Sequence, residues 1–232
     1  MSDRITPAQL ELKLNKWKPK FKRGDYFSMI IFASRNSGKS YLIKDLIRNY
    51  LRSKYDIFIV VSDSGDTESD LGPVLPVGQT HFWTSMNYDA ITIMEGQNKE
   101  RAAEGKNPLS MLIIFDDKVS VRQRSDDRLM QLFTRGRHMN LSIIFSGQAK
   151  KFADTGFLNN ADYVILLKAN SQQQRKTILD NVLKGTVDVP DDVNENRYLS
   201  TIMRTYMSEV GDAIVIDCKK GTNGGLLRYR AD

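Results

Sequence analysis

A chain of 232 residues with 41% hydrophobic and 27% charged side chains can bury the core of one sizeable α/β domain, and it holds no apolar run near the roughly 20 residues of a membrane-spanning helix. A single cysteine, Cys218, excludes an intrachain disulfide framework and a cysteine-built metal site; with a start, Met1-Ser2-Asp3-Arg4, that lacks a signal-peptide pattern, it points to a reducing intracellular compartment. The net charge of +6 and an isoelectric point near 9.3 suggest a polyanionic partner, nucleic acid first.

Residues 1–25 read as a basic N-terminal arm and 26–232 as the main domain. Pro7 to Leu12 starts a short helix, and Lys13, Lys16, Lys18, Lys20, Lys22 and Arg23 follow around Trp17 and Phe21. Two readings are open. The arm contacts phosphates or a neighbouring subunit with its aromatics packing or stacking, or it is a solvated lead-in strapped to the core by Trp17 and Phe21.

Next comes an apolar run, Met29 to Phe32, that breaks into Ala33-Ser34-Arg35-Asn36-Ser37-Gly38-Lys39-Ser40 and then a helical pattern from Tyr41 to Ile47. Strand, turn and helix in that order are what a phosphate-cradling P-loop needs. Backbone N–H groups of residues 34–40 face the β- and γ-phosphates of a nucleoside triphosphate, Lys39 neutralises them, and the Ser40 hydroxyl coordinates Mg²⁺. The position of the usual first glycine is Ala33, which requires an ordinary negative φ there.

Ile57 to Val61 predicts a second strand closed by the turn Ser62 to Gly65, Gly72 to Gly78 a loop, and His81 to Trp83 a small edge element. Asn87 caps a helix through Ile91 and Met94 that ends near Gly105 to Pro108. Met111 to Phe115, Leu141 to Phe145 and Tyr163 to Leu167 are fully apolar, as expected of parallel strands covered on both faces. Helical patterns over Asp127 to Phe133 and Ser171 to Leu183 imply βαβ crossovers, hence an α/β fold with a central, mostly parallel sheet. Asp212 to Ile216 and Leu226 to Tyr229 flank a Gly-rich turn and read as an antiparallel hairpin on the sheet edge.

The run from Met111 ends in Asp116-Asp117. A carboxylate at the end of a buried strand, in a chain with a P-loop, can hold Mg²⁺; that role falls to Asp116. Asp117 would orient or activate the attacking water, a task more often given to Glu, which is one methylene longer.

P-loop, apolar strand ending Asp-Asp, Gly136-Arg137-His138 before a strand, and Gln148 at that strand's end form an order that resembles the genome-packaging ATPases of large double-stranded DNA viruses, the poxvirus-type members of the FtsK–HerA superfamily. The resemblance covers residues from about 27 to 170, with a looser fit in the hairpin. It implies a three-layer P-loop NTPase of RecA/ASCE type that hydrolyses ATP with Mg²⁺ and drives double-stranded DNA into a capsid without regard to sequence. It also implies a homo-oligomeric ring, pentameric or hexameric, capsid or inner-membrane vertex proteins as partners, and a place in the host cytoplasm, at the viral assembly site or with the virion.

Carried over by position, Gln148 senses the γ-phosphate or positions water, and Arg137 is the first choice, Arg135 the second, for an arginine finger reaching a neighbour's nucleotide. For Arg137 the plain alternative is a surface ion pair with Asp126 or Asp127, and His138 reads as a packed structural residue. The turn Ser34 to Ser40 also resembles the P-loop of phage large-terminase ATPases, which implies a cis-acting role for Arg35. Ser120 to Arg124, Lys150-Lys151 and the basic arm are candidate DNA contacts. Two other classes compete: a nucleotide kinase, for which no compact arginine-rich lid is found, and a nucleotide-binding scaffold, against which Lys39, Ser40 and Asp116 argue.

Overall fold

The computed structural model describes residues 14–117, 127–147, 156–184, 189, 193–220 and 225–231. Nine strands, β1 (Asn15–Lys16), β2 (Ser28–Phe32), β3 (Ile57–Val61), β4 (Thr80–Trp83), β5 (Met111–Asp116), β6 (Leu141–Gly147), β7 (Tyr163–Leu167), β8 (Asp212–Asp217) and β9 (Leu226–Arg230), form one sheet in the order β1-β9-β8-β7-β2-β6-β5-β3-β4. From β7 to β4 every pair is parallel, and only β8 runs against its neighbours. β6 stands between β2, which leads into the P-loop, and β5, which carries the acidic pair. Their C-terminal ends therefore meet at one edge of the sheet, across a crevice of the kind in which α/β folds bind ligands.

Strands that are apolar at every position must be covered on both faces, and they are. Ile30, Phe32, Ile113, Phe115, Ile143 and Phe145 face one core, closed by helices α3 (Tyr88–Ala103), α4 (Asp127–Arg135), α5 (Gly156–Asn159), α6 (Gln172–Ile178) and α7 (Glu195–Tyr206). Their alternates Met29, Ile31, Leu112, Ile114 and Ile144 face the other, closed by α1 (Lys39–Leu46, continued by a widened turn over Ile47–Leu51) and α2 (Asp66–Leu71). The result is a three-layer α/β sandwich. An edge-to-face cluster of Phe115, Phe145 and Phe157, with Phe133 stacked on Phe145, fills the first core at centroid separations of 4.7–5.3 Å.

The lead-in joins the second core. Trp17 and Phe21 are buried, Trp17 against Tyr229 and Tyr163 and Phe21 stacked on Phe27, while the Trp17 N–H donates to the Arg228 carbonyl at 2.7 Å. Lys16, Lys18, Lys20 and Lys22 alternate with these buried positions and are exposed. Of the two readings of the aromatics, strapping to the core is the one found; the helix expected at Pro7 to Leu12 lies outside the described residues.

One expectation needs correction, and one helix lies where the sequence sets no expectation. The C-terminal hairpin is not the sheet edge, because β1 pairs in parallel outside β9, Asn15 opposite Leu227. The helix lies between the expected turn at 62–65 and the expected loop at 72–78. Asp66–Leu71 is helical, and Val74 and Leu75 are buried beyond it. That helix is short and polar, with Leu71 as its one buried apolar side chain, so no 3.6-residue periodicity announces it. Helices α5 and α7 were likewise not anticipated.

Candidate active site

The loop after β2 starts with the Ala33 N–H donating to the Gly147 carbonyl at 2.9 Å, which ties it to the tip of β6. The positive φ values fall on Asn36 (57°) and Gly38 (92°), not on Ala33, as the sequence requires. At Gly38 a Cβ would lie 2.9 Å from the Gly211 nitrogen and 3.1 Å from Val210 Cγ1, so both conformation and space demand glycine. The buried Ser37 donates its hydroxyl to the Ser34 carbonyl at 2.8 Å. The Ser34 hydroxyl donates to Gln174 Oε1 at 2.9 Å, and Asn170 Nδ2 donates to the Arg35 carbonyl at 2.6 Å, which fixes the loop against the start of α6. Helix α1 begins with no side-chain cap and no acidic residue in its first turn. Its first N–H groups and the positive end of its dipole are therefore left for an anion.

Across the crevice the Lys39 ammonium lies 2.8 Å from Asp116 Oδ1 and also pairs with Asp117 Oδ2. Burial pulls the Lys39 pKa down, but the Asp116 charge and the hydrogen bonds to Asp116 and Asp117 outweigh it and leave the pKa raised. Lys39 is thus a fixed cation. Asp116 is oriented at both oxygens: Ser146 donates to Oδ1 at 2.8 Å and the buried Thr67 to Oδ2 at 3.2 Å. Asp117 sits one residue past the strand at φ 55°, a left-handed conformation that Asp tolerates better than most residues, with its side chain half exposed.

A third carboxylate, Asp70 of α2, accepts from the Ser40 hydroxyl and pairs with Lys44. Burial would raise its pKa, but these partners and the Lys39 charge hold it below the ordinary 3.8. Asp70, Thr67 and Val210 carry no sequence signal, since they are common residue types on segments remote from the motifs.

Ser34, Arg35, Asn36, Gly38, Lys39 and Ser40, with Tyr41, Asp117 and Val210, line a cavity of ≈ 700 Å³. A larger one, ≈ 990 Å³, lies between α6 and α7 beside Lys168 and Arg175. It lacks the glycine turn, so the triphosphate chemistry belongs to the smaller cavity. Mg²⁺ takes hard oxygen donors, few of them from protein where phosphates supply the rest. The Ser40 hydroxyl and Asp116 carboxylate suit that ion, and among the described residues no cluster of three or more His, Cys, Asp or Glu offers an all-protein cage.

Arg137 stands apart from this cavity. It lies in the turn Gly136–Met139 ahead of β6, at the sheet edge opposite the P-loop, with its guanidinium 2.7 Å from Asp162 Oδ1. The ion-pair partner found is therefore Asp162 rather than Asp127, and Asp126 lies outside the described residues. Asp162 is buried, and its other oxygen accepts from the Ser28 N–H at 2.8 Å. Arg135 and His138 are exposed at the same edge, so His138 is not packed as expected. Gln148, residues 120–124 and Lys150-Lys151 lie outside the described residues.

Residues 15–188 match the family model described as poxvirus A32 protein. Uncharacterized protein L437 of Acanthamoeba polyphaga mimivirus is 22% identical over 161 residues, 66% of this chain and 56% of that protein, so the chain spans a little over half the length of this curated relative. Among solved structures, B204, the DNA-packaging ATPase from Sulfolobus Turreted Icosahedral Virus, superposes with a TM-score of 0.59 at 14% identity, covering 89% of this chain and 98% of that one. The genome packaging NTPase B204 from Sulfolobus turreted icosahedral virus 2, in complex with AMPPCP, gives 0.59 at 13% identity over 90% and 99%. At these identities the solved structures share the fold.

Proposed function

Since the chain belongs to the poxvirus A32 protein family, we propose that it is an ATPase that cleaves ATP to ADP and phosphate and uses the cycle to move a double-stranded viral genome into a capsid. The observation that carries this reading is the Lys39 ammonium at 2.8 Å from Asp116, at the start of an uncapped helix and across a cavity large enough for a nucleotide. The fold shared with B204, described in complex with AMPPCP, supports it.

In this mechanism the N–H groups of the loop and of α1 bind the phosphate oxygens, and Lys39 moves part of its charge from the two carboxylates to the β- and γ-phosphates. Ser40 and Asp116 hold Mg²⁺, which when bound neutralises charge on the phosphates. Asp117, freed from Lys39, accepts the proton of the attacking water. Gln148 follows the γ-phosphate, and Arg137 serves a neighbouring subunit's site, which makes the enzyme a ring. Contacts to DNA are to phosphates, hence independent of sequence and sensitive to salt. Capsid or inner-membrane vertex proteins are the proposed docking partners.

A second reading has its own support. Arg35 is exposed and lines the cavity, so it can serve its own nucleotide as a terminase-like arginine in cis. Phosphate release by wild-type, Lys39→Ala and Asp117→Asn proteins, with and without duplex DNA and alongside mass in solution, tests the proposal. Both variants are expected to lose turnover by about 100-fold or more, and DNA to stimulate a multimeric wild type. Undiminished hydrolysis by Lys39→Ala would overturn it, and a phosphorylated acceptor in place of free phosphate would make the protein a kinase.

A further inference from the structure

Four large apolar side chains are exposed among the described residues: Tyr41, Val77, Ile93 and Val210. Two of them, Tyr41 at 48% and Val210 at 58% exposure, line the same cavity, the one that holds the P-loop. They come from distant parts of the sequence. Tyr41 lies in the first turn of α1 directly after Ser40, and Val210 belongs to the turn that leads into β8.

That turn is built to stay in place. Asp212 Oδ2 accepts from the Glu209 N–H at 3.1 Å, the Asp212 N–H donates back to the Glu209 carbonyl at 3.3 Å, and Arg230 binds Glu209 at 2.9 Å. Gly211, at φ 91°, allows the turn to lie directly on the loop. Its nitrogen is the atom that a Cβ on Gly38 would strike, and a Cβ on Gly211 itself would lie 3.7 Å from the Tyr41 ring. Both apolar surfaces are thus held beside the phosphate-binding residues, on the opposite side of the P-loop strand from β6 and β5. Water exposure of a tyrosine face and a valine at a rigid site lacks an account from folding, since neither joins either core.

We infer that Tyr41 and Val210 form the clamp for the base of the bound nucleoside triphosphate: the phosphates lie on the loop and Lys39, and the flat heterocycle lies against the phenol ring and the valine methyls. The inference rests on the reading of this cavity as a nucleoside triphosphate site. A flat aromatic ligand gains from stacking and from removing these two surfaces from water, and such a clamp reads the faces of the base.

The test separates base from phosphate. Binding of ATP and of inorganic tripolyphosphate is measured by calorimetry on wild-type, Tyr41→Ala, Tyr41→Phe and Val210→Asp proteins. Tyr41→Ala is expected to weaken ATP about 10-fold and leave tripolyphosphate unchanged, with Tyr41→Phe close to wild type and Val210→Asp also selectively weakened for ATP. The clamp is overturned if both Tyr41→Ala and Val210→Asp bind ATP as wild type does, or if either variant loses ATP and tripolyphosphate in equal proportion. A wild type that takes tripolyphosphate but gains nothing from the nucleoside overturns the clamp alone. One that binds neither ligand removes the phosphate-site reading and the clamp with it.

Discussion

Lys39 sits between two carboxylates that differ in how firmly they are held. Asp116 receives a hydroxyl on each oxygen, from Ser146 and Thr67, whereas Asp117 lies past the strand end and half exposed. That asymmetry suits the proposed roles, a fixed metal ligand beside a more exposed carboxylate that takes a proton. Thr67→Val removes one orienting hydroxyl at nearly constant volume, and the expected result is a fall in ATP turnover of about 10-fold with the melting temperature within a few degrees of wild type. Far from the cavity, Asp56 is a stability residue. Burial would raise its pKa, but the Ser110 N–H and hydroxyl and the Arg23 guanidinium hold it below 3.8. Its contribution is therefore present above the unfolded value and lost as pH falls through the folded one. Melting of wild type and Asp56→Asn from about pH 6 to about pH 3 should show a gap that closes toward the acid end. Gly38, Lys39 and Ser40 stand out in the sequence because a P-loop fixes their spacing, and Asp116 because it ends an apolar strand. Asp70, Thr67 and Val210 are not, because only the folded chain brings them to the site.

Helix α1 links the phosphate loop to the far side of the sheet. Its buried Asp45 accepts from Asn49 Nδ2 at 2.6 Å and from the Tyr229 hydroxyl of β9, where burial and the Asp45 charge raise the tyrosine pKa. Tyr229→Phe leaves a buried carboxylate oxygen short of a donor, which costs about 1–3 kcal/mol and lowers the melting temperature by several degrees in a chain of this size. Trp17→Ala opens a cavity between Tyr163 and Tyr229 and should cost about 3–5 kcal/mol, read by urea unfolding. The central strands were readable because parallel strands covered on two faces must be apolar throughout. Helix α2 is not legible in the sequence because a short polar helix held by Leu71 and Thr67 leaves no periodic trace. In the lead-in, lysines alternate with Trp17, Pro19 and Phe21 at the period of an extended chain with one buried face, yet the composition alone could not choose between a strap and a free arm.

At the level of the molecule, the sheet separates the loop and Arg137 to opposite edges, a strand length of about 17 Å apart. An arginine so placed has no path to its own nucleotide; in the proposed ring it would exchange Asp162 for a neighbour's phosphates. A mixture of Lys39→Ala subunits, which keep Arg137, with Arg137→Ala subunits, which keep the loop, should therefore regain turnover that neither shows alone. A cis arginine at position 35 predicts no such rescue. The proposed ring, DNA path and capsid contacts rest on the family resemblance and not on any residue of this chain. The placement of β1 has a consequence for synthesis. Asn15 and Lys16 leave the ribosome long before Leu227 and Arg228, the residues they lie opposite in the sheet. Until Tyr229 emerges, Trp17 lacks one of the rings that cover it, so the growing chain displays an oily, positively charged stretch and this seam is among the late ones to close.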